Sequence, residues 1–173
     1  MEFTFQTKYN QKAMKTMALG VRKTIRKKRN LRTRIFGYII CALGLLLTLI
    51  PGENGLEVDF SSILTWIAIA IMGTVLLFED SINGYLARKR LLPGTETSVA
   101  TFTADGYESV SEFGKSEWSY DKILEMAETK EYFVFVFSIS HAQVYDKSSL
   151  TGGTLEEFRE FLQRKTEKEM VTI

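Results

Sequence analysis

The 173-residue chain has few of the residues that build catalytic or metal centres, since it holds one cysteine and one histidine. A single cysteine, Cys41, excludes an intramolecular disulfide. With only His141 and no cysteine cluster, the ligand set of a zinc site is also missing, and no Gly-x-Ser-x-Gly motif marks a serine nucleophile. We therefore expect no metal, no cofactor and no enzymatic activity, and we interpret His141 as a residue near a strand end.

Charge is absent from two long stretches in the middle of the chain, Ile35–Gly52 and Phe60–Phe78. Each is close to the ~20 residues with which a helix crosses ~30 Å of hydrocarbon, so we predict transmembrane helices over 35–52 and 60–78. A buried helical pair in a soluble protein is the alternative, but the remaining chain is too short to surround two such helices. A signal peptide fits less well, because the first run begins late, is too long and lacks a small-residue cleavage site before Glu53.

Positive charge is concentrated before the first run, where residues 1–34 hold eleven Lys or Arg and one acid. Three more bases occupy 88–90, whereas the loop between the runs carries only Glu53, Glu57 and Asp59. The positive-inside bias predicts a cell-membrane protein with two spans and both termini in the cytoplasm. Eight bases directly before the first span are predicted to set this topology and to contact lipid headgroups: Arg22, Lys23, Arg26, Lys27, Lys28, Arg29, Arg32 and Arg34.

Two other partners fit this basic segment. One is nucleic acid, and the other is an acidic protein surface, including the chain's own residues 92–173, which hold eight bases and fifteen acids. Anionic headgroups are favoured because they are the nearest polyanion to a segment that adjoins a membrane span. We therefore expect a bilayer with anionic headgroups as partner and no nucleic acid. The sequence leaves the protein partner and the oligomeric state open.

The N-terminal segment alternates strictly between apolar or aromatic residues and polar ones over residues 2–9, which predicts a half-buried strand with Phe3 and Phe5 on its apolar face. A basic amphipathic helix is predicted over residues 10–34, leading into the first span. An isolated strand is unstable in water. We therefore predict that residues 1–9 are the first strand of a cytoplasmic domain and pair with the sheet formed after residue 97, with the membrane hairpin inserted between them.

The second span is predicted to continue as a helical extension over residues 79–93, and residues 94–168 to fold as a small domain. Asp105-Gly106 predicts a hairpin turn, residues 123–128 are ambiguous between strand and helix, and the apolar run from Tyr132 predicts a central strand. Thr154 and Glu157 predict a capping box at the start of an amphipathic helix. The predicted core of the domain comprises Phe3, Phe5, Trp118, Phe133, Phe135, Phe158 and Leu162.

One helix across a small antiparallel sheet predicts an α+β domain similar to pleckstrin-homology folds. The order of short motifs in the domain also resembles the C-terminal domain of the YcxB-like bacterial membrane proteins over roughly residues 97–165. The positions that carry this resemblance are Trp118-Ser119, Glu128-Thr129, Tyr132-Phe133, Lys147 and Leu155–Phe158. The chain departs from the family pattern at Asp146, where a proline often precedes the lysine, and at Leu150, which replaces an aromatic residue.

The resemblance implies a fold and the layout of two spans before the domain, and it implies no established catalytic role. Together these features predict a membrane-anchored, non-enzymatic interaction or regulatory module. The alternative is a membrane-resident immunity protein that protects against a membrane-acting toxin. The two differ in whether function survives replacement of the spans.

Overall fold

The computed structural model describes residues 2–50 and 59–173. These residues form two compact units. The αβ domain comprises the residues up to Lys27 together with Asp80–Ile173, and the helical hairpin comprises Lys28–Glu79. The predicted loop between the spans, with Glu53 and Glu57, and the predicted end of the first span at Gly52 lie outside the described residues.

The first sheet of the αβ domain contains the N-terminal strand. It is antiparallel, in the order β1 (Phe3–Lys8), β2 (Thr97–Phe102), β3 (Tyr107–Ser111) and β4 (Gly114–Trp118). Phe3 lies opposite Phe102 and Lys8 opposite Thr97, so the predicted pairing of the first strand with the sheet after residue 97 is confirmed. The predicted hairpin is confirmed as well, since Asp105-Gly106 lies between β2 and β3.

A second sheet packs in the same domain, in the order β7 (Ala142–Asp146), β6 (Tyr132–Val136), β5 (Glu125–Glu128) and β8 (Met170–Thr172). The prediction of one small sheet is therefore wrong, because the strands found within residues 2–50 and 59–173 divide between two sheets. Every residue of β6 is buried, in agreement with a central strand. The ambiguous segment is a strand, β5, whose two edges pair with β6 and, in parallel, with β8.

One helix, α4 (Leu155–Thr166), joins the two sheets through aromatic side chains. The ring of Phe158 lies 4.7 Å from that of Phe5 in β1 and 5.3 Å from that of Phe133 in β6, measured between centroids. Six residues of the predicted core are fully buried in one cluster: Phe3, Phe5, Phe133, Phe135, Phe158 and Leu162. Trp118 is only partly buried and packs at the rim of this cluster. The architecture is α+β, and its sheets are antiparallel apart from the β5–β8 pair.

A second helix, α1 (Gln11–Lys23), covers the other face of β6. Asn10 caps it by accepting a hydrogen bond from the backbone N–H of Ala13, and Ala13 and Val21 pack with Val134. The prediction of one helix over 10–34 is wrong, because the chain breaks at 24–26 before α2 (Lys27–Thr48). Thr24 leaves helical geometry with φ −104° and ψ −99°, and its N–H donates to the carbonyl of Gly20.

The helical hairpin is built from α2 and the first part of α3 (Phe60–Lys89), with a non-helical residue at Phe78. A Cβ at Gly37 would meet Leu76, and one at Gly44 would meet Ile69, so the helices run antiparallel and approach closely at glycines. Both helices are long and apolar enough to cross a membrane, and 6% of each apolar window is buried. The extension predicted to Pro93 stops at Lys89, where the N–H groups of Arg90 and Leu91 donate to carbonyls three residues back.

Candidate functional site

Arg22, the first residue of the predicted basic segment, forms an internal ion pair. Its Nε and Nη2 donate to the carboxylate of Asp80 at 2.6 and 2.5 Å, and the two side chains are only 15% and 14% exposed. A two-point guanidinium–carboxylate pair of this kind fixes orientation as well as charge. This pair holds α1 against Asp80, the residue that begins the second part of the domain, and the headgroup contact of Arg22 stays a prediction.

Arg26 and Arg34 also contact the protein. Nη2 of Arg26 donates to the carbonyl of Ile139 at 2.5 Å, within the αβ domain, and its Nε is buried without an acceptor among the described residues. Nη2 of Arg34 donates to the carbonyl of Leu76 at 2.6 Å, within the hairpin. Each guanidinium has five N–H groups. One contact to a carbonyl therefore holds each side chain against the protein and leaves other N–H groups for a second partner.

Five of the eight predicted bases are exposed: Lys23, Lys27, Lys28, Arg29 and Arg32. None of the five forms an ion pair with any residue in 2–50 or 59–173. They form a short run of uncompensated positive charge around the start of α2. We call these five residues the exposed basic run.

The C-terminal part of α3 packs on α1 through small residues. A Cβ at Gly84 would lie 2.6 Å from the backbone nitrogen of Lys15, so only glycine permits this approach. Nε2 of Gln11 donates to the carbonyl of Ser81 at 3.3 Å on the same seam. On the opposite face of α1, a Cβ at Gly20 would lie 2.6 Å from Cγ1 of Val134. The helix is therefore held between β6 and the end of α3.

The residues of this seam were missed by sequence reasoning. Asp80 and Gly84 follow the second predicted span, and their segment was interpreted only as a helical extension. The available signal was the pair of acids Glu79 and Asp80, placed directly after the second predicted span and ahead of the bases at 88–90. Glycine at 84, in a segment without other helix breakers, was a second signal for close packing.

Several motif residues of the family resemblance converge on one buried ion cluster. Nζ of Lys147 donates to Oε2 of Glu128 at 2.5 Å and to the carbonyl of Thr129 at 2.6 Å, and it lies 4.5 Å from the ring centroid of Phe133. Arg159 donates from Nε and Nη2 to the same Glu128 oxygen at 3.1 and 3.0 Å. The cluster joins β5, β6, α4 and the turn after β7.

The environment of Glu128 contains opposing influences on its pKa. Partial burial raises the pKa of this carboxyl, but hydrogen bonds and charge from Lys147 and Arg159 outweigh it, so the pKa lies below its usual range. The hydrogen bond to Glu128 in turn raises the pKa of Arg159. Both shifts favour the ionised side chains at neutral pH. The ion pairs join Glu128 in β5 to Arg159 in α4 and to Lys147 after β7, so the cluster cross-links these parts of the domain.

The capping box at α4 has the geometry predicted for it. The N–H of Glu157 donates to Oγ1 of Thr154 at 3.2 Å, and the N–H of Thr154 donates to Oε2 of Glu157 at 2.7 Å. The latter bond, from backbone to carboxylate, lowers the pKa of Glu157. The carboxylate therefore occupies the positive end of α4.

His141 lies against the rim of the domain core. Its ring stacks on that of Trp118 with 5.2 Å between centroids, and burial lowers its pKa. Its position directly before β7 agrees with a strand-end residue. Within residues 2–50 and 59–173, no group of three or more His, Cys, Asp or Glu residues is placed to hold a metal ion.

Comparison with known proteins concerns the second part of the αβ domain. No curated protein matches the chain. The segment from the last residue of β2 to Leu162 in α4 contains the ion cluster and the capping box. Residues 102–162 match the family described as YcxB-like protein, which confirms the resemblance drawn from the sequence motifs.

Proposed function

We propose that the chain is a membrane-anchored protein whose helical hairpin holds the αβ domain at the cytoplasmic face of a bacterial cell membrane. There it serves as a non-enzymatic interaction or regulatory module. The observation that carries this proposal is the exposure of apolar side chains on the hairpin. Leu46 and Leu47 are 59% and 68% exposed, and Leu77 is 68% exposed.

Exposure of this extent separates the hairpin from a buried helical pair in a soluble protein. Soluble monomers rarely expose contiguous apolar patches larger than a few hundred Å², and a core helix would bury most of its apolar window instead of 6% of it. A lipid environment accommodates such side chains, and the i to i−4 bonds within each helix satisfy the backbone there. This supports two spans over α2 and the first part of α3.

The exposed basic run supports an orientation with both termini in the cytoplasm. Its five bases adjoin the start of the first span, and Arg88, Lys89 and Arg90 follow the second. Each base near an anionic surface contributes about 1 kcal/mol of attraction. The run would therefore hold the beginning of α2 at the headgroups of the inner leaflet.

Residues of both sheets and of the helix α4 share one core cluster, among them Phe5, Phe133 and Phe158, and this arrangement supports a pleckstrin-homology-like domain. A domain of this kind presents several surfaces for partners, and fold alone does not identify one. The acidic composition of residues 92–173 argues against an inositol-phosphate pocket, which requires clustered bases. A protein partner is therefore proposed.

The topology is tested with a reporter that is active only outside the cytoplasm. We expect no activity from a fusion after Ile173 and activity from an insertion at Asn54. Replacement of Lys27, Lys28 and Arg29 by Gln should increase the misoriented fraction, whereas the same change at the exposed Lys130, Arg164 and Lys165 should not. Reporter activity from the C-terminal fusion of the unaltered chain would contradict the proposed orientation.

The module and the immunity protein are separated by exchange of the spans. If the αβ domain is the functional part, partners captured by crosslinking in intact cells are retained after α2 and residues 60–79 are replaced by unrelated spans. If protection against a membrane-acting toxin is the function, it is lost on the same exchange while the domain remains folded. The second outcome would overturn the proposal of a module.

A further inference from the structure

The inner face of the first sheet changes from aromatic to small and polar along its length. One cross-strand row on this face consists of Phe3, Phe102, Tyr107 and Trp118. The next row consists of Phe5, Ala100, Ser109 and Ser116, so the two strands β3 and β4 present serines where a core would require apolar side chains. Small side chains in this row leave space between the sheet and the elements that face it.

That space is a cleft of about 340 Å³ in the αβ domain. Ser98, Ser109 and Ser116 lie on one side, and Met14 and Met17 of α1 also line it. Gln143 of β7 contributes an amide to the lining. Pockets that bind small molecules have this character, with apolar surface and a few polar groups, at volumes from roughly 300 Å³ upward.

Trp118 contributes an aromatic wall to the cleft. Its ring stacks on His141 and on Tyr107, at 5.2 and 6.5 Å between centroids. The polar groups that the lining offers to a ligand are the hydroxyls of Ser109 and Ser116, which can both donate and accept a hydrogen bond.

Charge is missing from the described lining, which contains no Lys, Arg, Asp or Glu. Transfer of an ionised group into such a site is unfavourable because nothing there compensates its lost hydration. We propose that this cleft binds a small uncharged amphipathic molecule, with an amide or similar polar group toward the hydroxyls of Ser109 and Ser116 and an apolar group against Met14, Met17 and the ring of Trp118. This site is independent of the membrane orientation proposed above.

The test uses three probes of the same shape and different charge: benzamide, benzoate and benzamidinium. The chain has two tryptophans, so Trp66→Phe in the full-length protein leaves Trp118 as the single indole. Its ¹⁵N–¹H resonance is followed in detergent micelles. We expect millimolar benzamide to shift this resonance saturably, with little effect from the two ions.

Two neighbouring positions of β3 provide the matched variants. Ser109→Phe fills the cleft and should abolish the shift, while Val110→Phe, on the opposite face of the same strand, should leave it unchanged. Ser116→Phe on the exposed edge strand β4 repeats the test if Ser109→Phe does not fold. Equal shifts from all three probes, no shift with benzamide, or a benzamide shift that persists in the folded cleft-filling variants would overturn the proposal.

Discussion

Replacement of Lys147 by Met isolates the contribution of the buried ion cluster. The side chain of Lys147 is 7% exposed and that of Glu128 is 15% exposed, so loss of the ammonium leaves a largely buried carboxylate with one fewer partner. Methionine keeps the apolar stem in contact with Phe133. The substitution therefore removes charge and hydrogen bonds with little change in packing.

The expected loss of stability follows from what remains around Glu128. Removal of one partner from a buried ion pair costs about 3–5 kcal/mol. Arg159 still donates two hydrogen bonds to the same oxygen, which places the expected loss nearer 2–3 kcal/mol, roughly a quarter of the stability of a typical domain. The carbonyl of Thr129 also loses its donor, so the lower end of this range is a minimum.

The assay is urea unfolding of the full-length protein in micelles, followed by the fluorescence of Trp118 in the Trp66→Phe background. Glu128→Gln and the double variant complete a thermodynamic cycle, with an expected coupling of about 1–3 kcal/mol between positions 128 and 147. Lys130→Met, at an exposed lysine two residues from Glu128, is the control and should change stability by less than about 0.5 kcal/mol. Equal effects of Lys147→Met and Lys130→Met, or additive effects in the cycle, would refute the role of the cluster.

Three further predictions use the same unfolding assay. The folded pKa of Glu128 lies below its ordinary value, so the stability that its pairing contributes is present above pH about 4.5 and is lost as the pH falls through the folded pKa. Glu128→Gln should reduce this loss of stability at acid pH, and an unchanged pH dependence would contradict the assignment. Phe5→Ala should lower the free energy of unfolding by about 3–5 kcal/mol because the ring is fully buried, whereas Gln6→Ala on the exposed face of β1 should change it little. Equal losses of stability in the two variants would mean that the Phe5 face of β1 is not part of the core. Gly84→Leu should separate α1 from the end of α3 and destabilise the domain by more than 1 kcal/mol, measured against Asn83→Leu, and equal stability of the two variants would argue against close packing at Gly84.

Features of the fold that depend on neighbouring residues were predictable from the sequence. The alternation of Phe3 and Phe5 with polar residues defined the buried face of β1, and Asp105-Gly106 defined a hairpin turn. The capping box at Thr154 and Glu157 followed from side-chain chemistry over three residues. In each case the signal and the structure occupy the same short segment, so no tertiary contact had to be known.

Features that depend on distant partners were not predictable. The break after Lys23 contains neither proline nor glycine, and it accompanies contacts such as the bond from Arg26 to the carbonyl of Ile139. Strand β8 has three residues and exists because the edge of β5 is open to it. The sequence showed Glu128 and Lys147 only as separate motif positions and gave no signal for Arg159, since the three residues meet through the packing of three elements.

The hairpin also affects how the domain can assemble. Phe3 pairs with Phe102 across almost a hundred intervening residues, and closing a loop of that length in an unstructured chain has an entropic cost that grows with its logarithm. Within the hairpin, the bond from Arg34 to the carbonyl of Leu76 and the contact of Gly37 with Leu76 bring the two ends of the insertion together. Once α2 and α3 have paired, the effective loop between β1 and β2 is therefore much shorter than the sequence separation. The ion pair of Arg22 with Asp80 lies close to where the chain leaves the domain and at the residue where it re-enters it, so this pair fixes the two ends of the insertion on the side of the domain.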